Sequence, residues 1–146
     1  MEIPLELDRF SYLCGAMDAF AELVHAGVKQ LALSHPCASP AERDSLLPFA
    51  RGLCEKYGIL CQSEDDLLIT DLFPAKENAG KPLILLFARP ETLAAYQSLK
   101  AEKAALLARG AYEGEARRNI ARGFGRLLSY DPARIEEAID ANQDRE

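Results

Sequence analysis

The chain has 146 residues, a formal net charge of -6 and a sequence pI near 5.0; 49% of its residues are hydrophobic and 27% charged. It is long enough to bury one core without staples, too apolar for disorder and too acidic for nucleic acid to be its default partner. No apolar run approaches the ~20 residues that span a bilayer, and Met1 to Arg9 lacks a basic flank ahead of an apolar run. The expectation is therefore a cytoplasmic protein with no leader and no membrane partner, whose Cys14, Cys37, Cys54 and Cys61 are reduced thiols.

Asp8 is placed to cap a first helix, along which Phe10, Leu13, Cys14, Met17, Ala21 and Val24 form an apolar stripe at three-and-four spacing. Asp18, Glu22 and His25 share the opposite face. Gly27 stops this helix, since glycine takes the left-handed conformation freely. A strand follows over Val28 to Leu33. A rival reading continues the helix through Leu31 and Leu33, but Gly27 in front and Pro36 and Pro40 behind favour the strand. Ser39, Pro40 and Glu42 then make a capping box with proline at the first helical position, and the second helix runs to about Tyr57. Pro48 sits too deep for the first turn and is expected to kink or split it.

Ile59 to Cys61 and Leu67 to Thr70 read as two strands of a hairpin around Ser63 to Asp66, and Ala75 to Lys81 as a polar loop. Leu83 to Phe87 is apolar throughout, which predicts a central strand covered on both faces. Pro90 opens a third helix carrying Leu93, Tyr96, Leu99, Leu106 and Leu107, ended by Gly110. Tyr112, Ala116, Ile120, Phe124 and Leu127 define a fourth, and Asp131-Pro132 starts a short fifth with Ile135 and Ile139 inward. From Asp140 the tail is polar and expected to fray. The fold class that follows is α+β: a single domain over 1–146, a mixed sheet of about four strands with a parallel crossover, and a helical C-terminal third that packs on it or builds a homodimer.

Four constellations could carry chemistry. Ser34, His35 and Cys37 gather at the end of the first strand, where ligand sites of open α/β sheets form. A helix start at Ser39 and a protonated His35 would stabilise a Cys37 thiolate as nucleophile. Glu22-x-x-His25 has a di-iron spacing, but no second such motif exists and only two histidines are present. No metal and no cofactor is implied. Arg118, Arg122 and Arg126, with Arg117 beside them, form a guanidinium row suited to phosphate or carboxylate, partly neutralised by Glu113 and Glu115 at helical spacing. Gly123 and Gly125 sit inside the same helix, at a cost of about 1 kcal/mol each against alanine, which calls for close helix packing, a kink or a close ligand. Neither a Gly-x-Gly-x-x-Gly nor a Walker loop is present. The acids Glu64, Asp65, Asp66 and Asp71 are explained by turn chemistry.

Two functions are compatible with these residues. One is a non-catalytic or regulatory domain that binds a small anionic ligand, through Ser34, Arg89, Arg118, Arg122 or Arg126, or binds a protein partner. The other is a small enzyme using the thiol of the Ser34-His35-Cys37 loop, with Arg89 as its anion anchor. A single pocket joining Cys37, His35 and Arg89 would favour the enzyme.

Overall fold

A computed structural model of the chain describes residues 5–146. Residues 1–4, within the Met1 to Arg9 stretch on which the leader expectation rests, lie outside the described residues. The elements follow in the order α1 (Arg9–His25), β1 (Leu31–Leu33), α2 (Pro40–Tyr57), β2 (Leu60–Glu64), α3 (Ala75–Asn78), β3 (Leu83–Phe87), α4 (Pro90–Ala108), α5 (Gly114–Leu127) and α6 (Pro132–Ala141). No helix among the described residues is long and apolar enough to cross a membrane.

Helix ends follow the capping residues. The Asp8 carboxylate accepts from the Ser11 N–H at 2.8 Å, Ser39 Oγ from Glu42 N–H at 3.1 Å, and Asp131 from Ala133 N–H at 2.9 Å. The Glu42 carboxylate departs from the usual box: it accepts from the Ala38 N–H and from Arg9, and so ties the start of α1 to the start of α2. Gly58 closes α2 with φ of 67°, the left-handed conformation. Pro48 does not split α2, which runs unbroken through it. One missing bond to the Asp44 carbonyl is tolerated because Leu46, Ala50 and Leu53 on either side are buried.

The sheet has three strands among the described residues, in the order β1-β3-β2, with both pairings antiparallel. Leu31 and Leu60 flank Phe87, and Leu33 and Gln62 flank Leu85. Thus β1 and β2 run in the same direction but never touch, because β3 is inserted between them. The expected parallel crossover becomes a split one. The expected fourth strand, Leu67 to Thr70, is buried but pairs with no strand. Its backbone is satisfied by side chains instead: the Leu68 N–H donates to the Tyr96 hydroxyl at 2.9 Å, and Lys103 Nζ donates to the Ile69 carbonyl at 2.7 Å. β1 is also shorter than expected, with Val28 exposed outside it.

All five residues of β3 are buried. Ile84 and Leu86 meet α1 and α2 on one face, among Leu13, Met17, Ala21, Leu46 and Leu53. Leu83, Leu85 and Phe87 meet the other helical layer, among Tyr96, Phe124, Ile135 and Ile139. Each side chain so covered contributes about 2 kcal/mol of transfer free energy, so the central strand holds both layers. A Cβ on Gly123 would lie 2.9 Å from Leu99 Cδ2, and one on Gly125 2.6 Å from Ile135 Cγ1. The two glycines therefore let α5 approach α4 and α6 closely.

Helices α4–α6 bury Tyr96, Leu106, Ile120, Phe124, Ile135 and Ile139, but α4 leaves Ala94, Ala101, Ala104, Ala105 and Leu107, the last expected inward, exposed, and Lys103 takes a buried place on it. Past α6 the polar tail makes hydrogen bonds to the rest of the fold. Asn142 Nδ2 donates to the carbonyls of Asp71 and Phe73, and the Ala75 and Lys76 N–H groups donate to the carbonyl and carboxylate of Asp144. This distant cap explains why α3 forms where the local sequence reads as loop.

Candidate functional site

Antiparallel pairing sends β1 and β3 in opposite directions, so the loop that follows β1 lies at the beginning of β3. Ser34 closes that end. Its N–H donates to the Ile84 carbonyl and its Oγ accepts from the Ile84 N–H, both at 2.9 Å, so the side chain stands in for a strand residue. The Cys37 N–H donates to the Pro82 carbonyl at 2.8 Å, and the Cys37 thiol, with 0% exposure, turns back to the His35 carbonyl. Burial pushes that thiol up, Glu42 adds to the effect, and Arg9 and Arg43 oppose it. His35 offers its ring to Tyr12 edge-on and its Nδ1 to the Pro36 carbonyl. A cleft of about 360 Å³ lies over this loop, between Arg9, His35, Glu77 and Lys81, with Cys37 as part of its floor.

Arg89 is elsewhere. It follows β3 at the opposite end, five residues beyond Ile84, which is about 16 Å of extended chain. No pocket joins Arg89 to Cys37 and His35, so the arrangement that would favour the thiol enzyme does not form among the described residues.

The guanidinium row on α5 is neutralised more fully than local spacing suggests. Arg118 donates to Glu136 and Asp140, and Arg122 to Glu136 and Glu115. These two guanidinium groups hold the Glu136 carboxyl down at about 2. Arg117 is not paired with Glu113; both of its ends grip Asp71 at 2.8 Å, and that contact holds Asp71 below the usual carboxylate range. Arg126 alone of the row stays exposed without an acid partner among the described residues. On the polar face of α1, Asp18 accepts from the Tyr57 hydroxyl of α2 at 2.7 Å, and His25 lies against the Tyr57 ring.

The open site is at the carboxyl end of β3. A cavity of about 410 Å³ is enclosed by the end of α1, Lys29 and Gln30 ahead of β1, Ala88 and Arg89 after β3, and the first turn of α4. Arg89 is the N-cap of α4 and cannot accept hydrogen bonds, so no side chain caps that turn. Its guanidinium, with a side chain 76% exposed, lies 3.6 Å from Glu91. Lys29 is half-buried. Its ammonium donates to the Leu128 carbonyl at 2.8 Å and stands 5.1 Å from the Tyr130 ring centre, with no carboxylate paired to it among the described residues. Burial lowers its pKa below the usual 10.5.

A second cavity of about 340 Å³ continues from the first, sharing Gln30, Ala95 and Leu127, and reaches Leu99, Glu102 and Arg126 between α4 and α5. Sequence reasoning reached Arg89 and Arg126 but missed Lys29 and Gln30. The one local signal was a lysine beside a glycine stop. The carbonyl that holds its ammonium belongs to Leu128, 99 positions away. Compared with models of protein families, with curated proteins and with solved structures, the chain matches none of them.

Proposed function

We propose that the protein is a non-catalytic binding domain whose ligand is a small anion held at the carboxyl end of β3. The observation that carries this reading is Lys29. Its ammonium is held by the Leu128 carbonyl and lies over the Phe20 and Tyr130 rings, with no carboxylate beside it among the described residues, and an incoming anion would supply the missing charge. Arg89 and the uncapped first turn of α4 stand across the same cavity and add donors of the same sign. In a chain of net charge -6, two cations beside one acid in a cavity mark a local reversal of the overall field. Self-association, the other expectation, has apolar surface to use in the exposed Ala101, Ala105 and Leu107 of α4 and in Leu5, Leu7, Phe10 and Tyr12 at the start of the chain.

The test is titration of isotope-labelled protein with inorganic phosphate, read by amide NMR. Shifts confined to Lys29–Gln30 and Ala88–Thr92 are expected. Lys29→Met and Arg89→Ala should each weaken binding about tenfold or more, the worth of a hydrogen bond to a charged group. Perturbation at Arg118 and Arg122 instead, or none at the cavity, overturns the proposal.

A further inference from the structure

Resting on the reading of the first cavity as an anion site, we infer that the natural ligand is an amphiphile: one anionic head, phosphate or carboxylate, joined to a short apolar body that lies along the α4–α5 groove. The two cavities are continuous through Gln30, Ala95 and Leu127, and their chemistry changes along the way. At the β3 end stand Lys29 and Arg89 against a single acid. At the α5 end Glu102 and Arg126 line the groove with opposite formal charges and no ion pair between them, and its apolar surface is made by Ala95, Leu99 and Leu127. A hydrocarbon would cover those three side chains, with Gln30, Ser98, Glu102 and Arg126 around its edge. Gly123 has a part in this shape. A Cβ there would come 2.9 Å from Leu99 Cδ2, so any larger residue displaces the leucine that floors the groove.

The experiment measures binding of inorganic, methyl and hexyl phosphate by calorimetry, on the intact chain and on Ser98→Trp. Ser98 lines only the second cavity and is exposed on α4, so the indole fills the groove without entering the core. Affinity should rise with chain length, by up to about fourfold per buried methylene. Ser98→Trp should return hexyl phosphate to the level of methyl phosphate and leave methyl phosphate unchanged. A milder Gly123→Ala, moving Leu99 inward, should weaken hexyl phosphate alone. Equal binding of methyl and hexyl phosphate overturns the amphiphile while the anion site stands. Chain-length dependence that survives Ser98→Trp overturns the placement of the apolar body in this groove. Failure of all three phosphates to bind removes the anion site, and this inference with it.

Discussion

The two ends of β3 are built from similar materials and do opposite things. At its start, Ser34, His35 and Cys37 bring a hydroxyl, an imidazole and a thiol together, and the fold consumes two of them: Ser34 completes the strand pairing at Ile84, and Cys37 is sealed against the His35 carbonyl. At its end, Lys29 and Arg89 come from unremarkable loop positions and line a cavity that holds one acid, Glu91 beside Arg89, and none beside Lys29 among the described residues. Reactive residue types therefore mark a site less well than a cation without a counter-charge does. A hydroxyl that replaces a backbone partner is structural however catalytic its neighbours look. The strand-end rule does not choose between the two ends, because an antiparallel sheet has carboxyl ends on both sides.

That contrast can be broken most forcefully at Ser34. Ser34→Ala leaves the buried Ile84 N–H without its acceptor, so stability should drop by about 1–3 kcal/mol, seen as a lower urea midpoint, with phosphate affinity unchanged. Lost phosphate binding in a folded variant would erase the distinction between the ends. Arg89→Ala is the mirror experiment: binding weakened about tenfold, and stability within about 0.5 kcal/mol of the parent, as for other exposed positions.

Lys29 sharpens the contrast through pH. The protonated ammonium is the form that attracts an anion, and burial places its pKa below 10.5. Phosphate affinity should fall as pH rises through that lowered value, earlier than an exposed lysine would allow, and Lys29→Arg should flatten the decline. The same depression means that the unfolded chain holds this proton more tightly than the fold does, so this group's contribution to stability rises with pH over the interval below 10.5. The smallest effect concerns thiol reactivity. With Cys37 at 0% exposure and its thiol pushed up, alkylation at neutral pH with site assignment by mass spectrometry should label Cys61 before Cys37. Cys54, raised to about 12 by burial and by its hydrogen bond with Cys61, should also be slow. Fast labelling of Cys37 would reopen its loop as a nucleophile site.

What the sequence made legible was what adjacent residues decide. Asp8, Ser39 and Asp131 announce their helices because capping is a contact within three residues, and Gly58 ends α2 for the same reason. The uninterrupted Leu83–Phe87 run told of two covered faces. Leu67 to Thr70 misled because their apolar character is equally consistent with a strand and with a buried irregular segment. The choice is made by Tyr96 and Lys103, about thirty residues on, which take the backbone groups a neighbouring strand would have taken. Asp144 capping α3 and Glu136 neutralising Arg118 and Arg122 are of the same kind. Of the candidate site, Arg89 could be read because a strand end followed by Pro90 is a local pattern. The isolation of Lys29 could not, because it depends on which acids the tertiary fold keeps away.

The insertion of β3 between β1 and β2 also sets the order in which a ribosome can deliver a foldable chain. When residues 1–66 have emerged, α1, α2, β1 and β2 are all available, yet the two strands have no partner, since neither pairs with the other. The inward side chains of α1 and α2 then have no sheet surface to close upon until residues 83–87 are synthesised and cleared from the exit tunnel. For that interval the nascent chain carries unpaired strand edges beside uncovered leucines, the combination most open to aggregation. Final closure joins segments some fifty residues apart in sequence, Ser34 and Ile84 among them, which makes refolding slower than helix content alone suggests.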